Sequence, residues 1–271
     1  MTDTIRYALV RPLPKSFADA LQQHAPLEPI VVEKAHAQHE RYTDVLKNLV
    51  GKVIVVPVDE QYPDCCFIED TAIVVGHDVI ISRIGAISRR NESEAVLTAF
   101  QELKKLEPRL RIHRLLAPAT LDGGDVLQMN GKVFVGLSHR TNQAALDQLQ
   151  DILPGVVVSI PVVAGLHLKS VLSALDSYTL LITDHPAAKQ MAERILAALP
   201  PSPQNRCLEV PDGAASNVIR VGSTLLIQAG FPNSEAILAK AASLRGWHIE
   251  KLDMSELIKA DGALTCCSIL I

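Results

Sequence analysis

The chain has no run of 18 apolar residues and no polybasic stretch, so nothing in it reads as a membrane span or as a patch for an anionic membrane surface. Its first residues, Met1-Thr2-Asp3-Thr4-Ile5-Arg6, lack the apolar core of a secretory leader. C-x-x-C, H-E-x-x-H, G-x-x-x-x-G-K-[ST] and G-x-G-x-x-G are all missing, which removes the support for structural-zinc, P-loop and Rossmann readings. Five cysteines, an odd number with adjacent pairs at Cys65-Cys66 and Cys266-Cys267, do not make a disulfide framework in 271 residues. A reducing cytoplasm is the expected compartment, with no cofactor and no metal site. A net charge of −4 lacks the basic footprint of a general nucleic-acid binder. No low-complexity linker divides the chain either. The nearest candidate, Pro200-Pro201-Ser202-Pro203, follows a helix pattern and precedes a strand, so residues 1–271 are expected to form one domain.

What is present is an ordinary globular balance of 48% hydrophobic and 21% charged residues, arranged in a recurring unit. A strand over Phe67–Val75 and another over Val79–Ser82 flank a turn at Gly76-His77-Asp78. A helix over Glu92–Leu106, stopped by Pro108, and a strand over Arg111–Leu115 follow. The same order returns as Val126–Met129, an Asn130-Gly131 hairpin turn, Val133–Leu137, helix Gln143–Ile152 and strand Val156–Ile160. It returns again over 170–210 and over 216–252. The turns near 77, 131, 176 and 222 are 54, 45 and 46 residues apart, a period at which each unit needs its neighbours to bury its apolar face. A fifth unit is split. The apolar run Thr265–Ile271 supplies one strand, and Tyr7–Val10 supplies the next, followed by helices over Ser16–Gln23 and His39–Leu49 and a strand at Val53–Pro57. Pairing of the two chain ends would close a ring.

Closure would bring strand-end motifs of different repeats onto one axis. Asp64-Cys65-Cys66-Phe67-Ile68-Glu69-Asp70 places an acidic cluster inside a strand pattern, and Leu121-Asp122-Gly123-Gly124-Asp125 sets two carboxylates around paired glycines. Gly165-Leu166-His167-Leu168-Lys169-Ser170 holds a histidine among apolar residues, and Thr265-Cys266-Cys267 a thiol pair. Taken singly, each has a plainer reading as a turn, a solvated strand end, a hydrogen-bonded core histidine or buried cysteines. Those plainer readings do not explain why one acid or nucleophile motif opens each unit at the same place. Strand alternation would send Cys266 and Cys267 to opposite faces, without saying which meets the axis.

Together with Ser88-Arg89-Arg90 and Gly136-Leu137-Ser138-His139-Arg140-Thr141-Asn142, these motifs in this order resemble the guanidino-group-modifying enzymes, and among them the dimethylarginine dimethylaminohydrolase family. The resemblance spans essentially the whole chain and implies an α/β fold, the five-bladed α/β-propeller (pentein). By position it implies Cys266 as nucleophile, His167 as general base and acid, and Asp122 as the carboxylate that orients His167. It further implies Glu69 and Asp70 as guanidinium ligands, and Asp64 near the polar end of the substrate. Arg89 and Arg140 would be clamps for the α-carboxylate. Leu21, and Ala260 through its carbonyl, would close over the α-amino group. Arg90 and His139 match the motifs without an assigned role.

The implied reaction is hydrolysis of N-omega,N-omega-dimethyl-L-arginine, or of the monomethyl form, to citrulline and the free amine through a covalent thiouronium on Cys266. The partner implied is thus a small-molecule substrate, a methylated arginine, with no nucleic acid and no membrane; monomer and homodimer both stay open. Two alternatives remain: an arginine deiminase with the same machinery, and a catalytically silent propeller acting as a binding protein. Agmatine lacks the carboxylate that Arg89 and Arg140 would bind.

Overall fold

The computed structural model describes residues 5–271; Met1–Thr4, part of the stretch read above for a leader, lie outside the described residues. The first strand, β1 (Tyr7–Val10), is followed by a short 3₁₀ helix at Lys15–Asp19, α1 (Val32–Leu49) and β2 (Lys52–Val55). The second repeat comprises β3 (Ala72–Val75), β4 (Asp78–Ile81), α2 (Glu92–Leu106) and β5 (Arg111–Arg114). The third comprises β6 (Val126–Met129), β7 (Lys132–Leu137), α3 (Gln143–Ile152) and β8 (Val157–Pro161). The fourth runs through β9 (Leu172–Ala174), β10 (Thr179–Thr183), α4 (Pro186–Ala198) and β11 (Arg206–Val210). The fifth has β12 (Ile219–Val221), β13 (Thr224–Gln228), α5 (Pro232–Ser243) and β14 (His248–Leu252), after which α6 (Ser255–Ile258) leads to β15 (Ile269–Leu270).

Five three-stranded sheets result, each an antiparallel pair extended by a parallel strand that the helix brings back. The sheet order β15-β1-β2 joins the two ends of the chain, with Ala8 opposite Leu270 and Leu9 opposite Ile269. Local chemistry accounts for most of the elements. Asn130 and Gly131 both take positive φ, 47° and 74°, as a two-residue hairpin turn between β6 and β7 requires. α2 carries Glu92 and Glu94 in its first turn and Lys104 and Lys105 in its last, matching the helix dipole at both ends. Asn142 caps α3 by accepting from the Ala145 N–H.

Each of the helices α1–α5 fills the wedge between two neighbouring sheets. α4, for example, buries Ala188, Met191 and Ile195 against Leu127, Phe134 and Ile160 of one sheet and Leu172, Leu180 and Ile182 of the next. α1 lies in the same way between the β12–β14 sheet and β1, placing Tyr42 and Leu46 against Leu226, Leu252 and Val10. The sheets thus stand as the blades of a propeller-like pentein. Among the described residues, no helix is long and apolar enough to cross a membrane.

Three local expectations change. The helix expected over Ser16–Gln23 is only the 3₁₀ helix at Lys15–Asp19, beyond which the Leu21 and Gln23 N–H groups donate to Asp64 and Asp261. α1 begins at Val32 rather than His39 because a tertiary contact organises its start: Glu256 of α6 accepts from the Val31 N–H. The strands expected at Phe67 and Thr265 each begin instead with a 3₁₀ helix, at Ile68–Thr71 and Thr265–Cys267. Such a helix also precedes the first hairpin strand in the other three units, at Gly123–Asp125, Leu168–Ser170 and Ala214–Ser216.

Candidate active site

Four of these five short helices carry or immediately follow motif residues: Glu69 and Asp70, Asp122, His167, and Cys266. A 3₁₀ helix turns once every three residues, so consecutive side chains point in three directions instead of alternating between two faces. At the chain end, Thr265 turns toward Glu69, its hydroxyl donating to Oε2 at 2.9 Å. Cys266, partly exposed, lines a cavity of about 170 Å³. Cys267 is fully buried among the apolar side chains packed around α1, its thiol 3.5 Å from the Ala263 carbonyl. The two thiols therefore occupy different environments, through a helical turn rather than through strand alternation.

Leu21, Asp64, Asp70, Arg89, Arg140, His167 and Ala260 line the same cavity as Cys266. Asp122 lies directly beneath, with no exposed surface; its Oδ2 is 2.9 Å from His167 Nε2 and its Oδ1 accepts from the Gly85 N–H at 2.7 Å. Glu69 is the exception. Its carboxylate pairs with Lys169 and accepts from Thr265, and all three residues line a separate cavity of about 240 Å³. The structure thus brings nine of the ten sequence-derived residues around one space and turns Glu69 away from it.

The paired glycines are explained by close approach. A Cβ on Gly123 would stand 2.0 Å from the Glu69 carbonyl oxygen, and one on Gly124 would stand 2.6 Å from His167 Nδ1. With no side chain there, the imidazole packs directly on the backbone, and the Gly124 N–H donates to Asp70 Oδ1 at 3.0 Å.

The charges are tightly matched. Arg89 is buried; it donates from Nε and Nη2 to Glu92, from Nη1 to Asp70 Oδ2 at 2.8 Å and from Nη2 to the Phe67 carbonyl. One Nη1 hydrogen is left over. Arg140 is less committed. Its Nη1 forms an ion pair at 3.5 Å with Asp122 Oδ2 but is buried with no hydrogen-bond partner among the described residues, in a site otherwise rich in acceptors. Asp64 accepts both of its contacts from the Leu21 N–H, at 3.1 and 3.3 Å, and burial raises its carboxyl above the usual range.

Burial by itself would lower the His167 imidazole, but Asp70, Asp122 and Asp125 outweigh it and push it up to about 9. The Cys266 thiol goes the same way: burial, with Glu69 and Asp70 nearby, pushes it up to about 12. Asp70 is also desolvated, yet His167 and Arg89 hold it below the ordinary value. Near neutral pH the site therefore holds a neutral thiol, a charged imidazole and an ionised Asp70 carboxylate already paired with Arg89. Asp70, Asp122 and His167 each place one donor atom within 4.8 Å of the others, close enough to hold a metal ion. Those groups are committed to hydrogen bonds with Arg89, Gly124, Gly85 and one another, which an ion would have to displace.

The arginine deiminase family model matches residues 58–219. The dimethylarginine dimethylaminohydrolase of Streptomyces coelicolor is 32% identical over 270 residues, covering 97% of this chain and 95% of that protein. The chain belongs to the dimethylarginine dimethylaminohydrolase family. The enzyme of the same name from Pseudomonas aeruginosa is 30% identical over 243 residues, 87% of this chain and 88% of its own. A solved structure of that enzyme, a cysteine-to-serine mutant complexed with citrulline, matches with a TM-score of 0.84 at 26% identity, covering 99% of this chain and 100% of the other. The N-terminal domain of ArgZ, an arginine dihydrolase of cyanobacteria, shares the fold, with a TM-score of 0.82 at 20% identity over 99% of this chain and 97% of that one.

Several neighbours of the site carry little signal in the sequence. Glu92 under Arg89 read only as a helix-start residue, and Lys169 beside Glu69 only as part of a motif. Asn217, following the 3₁₀ helix of the fifth-repeat hairpin, carries no charge or nucleophile to draw the eye. Aligning the openings of the repeats would have found it.

Proposed function

We propose that the protein is a cytoplasmic hydrolase, the chain forming one catalytic domain, that converts dimethylarginine, and the monomethyl form, to citrulline and the free amine. The observation that carries this is one cavity holding Cys266, the His167–Asp122 pair, the Asp70 carboxylate and an Arg140 Nη1 with no hydrogen-bond partner among the described residues. The citrulline-bound relative adds weight, since its ligand is the product expected here.

A substrate guanidinium entering this site meets Asp70 and brings its positive charge beside Cys266. The Cys266 thiol is held neutral by burial and by Glu69 and Asp70. A bound cation beside it lowers the energy of the thiolate, so substrate binding itself prepares the nucleophile. The thiol proton is lost to solvent and the thiolate Sγ bonds to the guanidinium carbon. The C–N bond to dimethylamine breaks as charged His167 delivers a proton to the departing nitrogen, leaving a thiouronium on Cys266. His167, now neutral, takes a proton from water; the resulting hydroxide adds to the same carbon, and the C–S bond breaks to give citrulline and the restored thiol. Asp122 holds the imidazole by its 2.9 Å contact throughout, while Arg140 takes the α-carboxylate and Asp64 with the Leu21 backbone closes near the α-amino group.

The test is citrulline formation from asymmetric dimethylarginine and from arginine under matched conditions. Greater kcat/KM on dimethylarginine is expected. Equal or greater efficiency on arginine would make the protein an arginine deiminase, the activity for which the matching family model is named. No citrulline from either would leave a binding protein.

A further inference from the structure

Four of the five 3₁₀ openings supply groups to the reacting cavity or to the carboxylate beneath it. The remaining one, Ala214–Ser216, is followed by Asn217, a residue 3% exposed whose side chain is fully engaged. Asn217 Oδ1 accepts from the Thr265 N–H at 3.0 Å, while Nδ2 donates to Thr265 Oγ1 at 3.0 Å and to the Lys169 carbonyl at 3.2 Å. A backbone N–H can only donate and a carbonyl can only accept, so these partners allow a single orientation of the amide. The Thr265 hydroxyl accepts from Asn217 and must pass its own proton onward, to Glu69 Oε2.

Asn217 thus grips the residue before Cys266 by both main chain and side chain. Thr265 opens a 3₁₀ helix, where N–H groups have no partner within the helix, and here a side chain from another repeat supplies it. Because each residue of that helix is turned a third of a revolution from the last, holding Thr265 against Asn217 and Glu69 sets the direction of the next side chain. The Asn217 segment has its own anchorage. Ser173 Oγ donates to the Ser216 carbonyl at 2.6 Å and accepts from the Val218 N–H at 3.4 Å, so the amide is not needed to keep the segment in place.

We propose that Asn217 is a positioning residue that fixes Thr265 and thereby aims the Cys266 Sγ into the cavity. This rests on the reading of Cys266 as nucleophile.

Two measurements on Asn217→Ala test it. The first is steady-state kinetics of citrulline formation, in which kcat falls about ten- to a hundredfold, as expected for a misplaced reacting group, while KM stays within about twofold. The second is iodoacetamide labelling resolved by peptide mass spectrometry, which needs no substrate. Cys266 should label at least about fivefold faster than in wild type as its helix loosens, with buried Cys66 and Cys267 unchanged. A purely structural role would speed labelling of all three thiols together, or lower Tm with kcat and Cys266 labelling unchanged; either result overturns the proposal. Should Asn217→Ala fail to fold, Thr265→Val, which removes only the hydroxyl side of the grip, is put through both measurements with the same criteria. If wild-type protein makes no citrulline, the functional reading fails while the labelling still decides the role of Asn217.

Discussion

Replacing Gly124 by alanine tests whether the position of His167 matters as described. The added Cβ would sit 2.6 Å from Nδ1, 2.8 Å from Cγ and 3.2 Å from Cβ of His167. Carbon atoms in ordinary contact lie about 3.5–4.0 Å apart, so the imidazole must retreat by roughly 1 Å. It has little room. Nε2 is tied to Asp122 at 2.9 Å, the His167 N–H donates to Ser170 Oγ at 3.0 Å, and the residue is buried. A displacement of that size in a reacting group lowers the rate by about a hundredfold, equivalent to about 2.7 kcal/mol in the barrier. The loss should fall on kcat, because Arg140 and Asp64 are not touched by the new methyl group. Steady-state kinetics on dimethylarginine, with a melting curve to show that the variant is folded, make the measurement. Gly131→Ala is the control. It faces open space at φ 74°, so it should lower stability by about 1 kcal/mol through backbone strain and leave kcat alone. A folded Gly124→Ala enzyme with kcat within threefold of wild type would refute the reasoning.

Further outcomes follow from the same geometry. Arg140→Ala should chiefly raise KM, by the roughly 1.5–3 kcal/mol of a charge-assisted hydrogen bond, and a guanidine substrate without the carboxylate should not register the change; equal losses on both would mark a structural role. Cys266→Ser should abolish citrulline formation and keep the fold. Cys267→Ser, in the packed cluster, should retain most activity with a stability loss of about 1–3 kcal/mol, and a thiouronium located by mass spectrometry on Cys267 would reverse the assignment. In the free enzyme both Cys266 and His167 hold protons at neutral pH, with His167 pushed up to about 9 and Cys266 to about 12. The reactive thiolate–imidazolium pair has one proton fewer, so kcat/KM should climb with pH from 7 toward about 9, the pair titrating as a unit. A flat or falling profile over that range would show that the pair is already ionised.

The alternation of hairpin, helix and strand was legible in the chain because it is written in local terms. β6, α2, α3 and β13 lie where the apolar periodicity, the Asn130-Gly131 turn and the helix stops put them. Ring closure was legible too, since an apolar strand at each end of a repeat chain has no other partner. The motif residues could be named from their resemblance to a family. Their directions could not, because these depend on a 3₁₀ helix at the head of each unit, and a three-residue turn leaves no periodic trace in sequence. That is why Glu69 and Asp70, adjacent in the chain, face different cavities, and why Thr265, Cys266 and Cys267 part in three directions. The grip of Asn217 on Thr265 joins the openings of two consecutive repeats 48 residues apart, and only their packing side by side brings the two within hydrogen-bond reach.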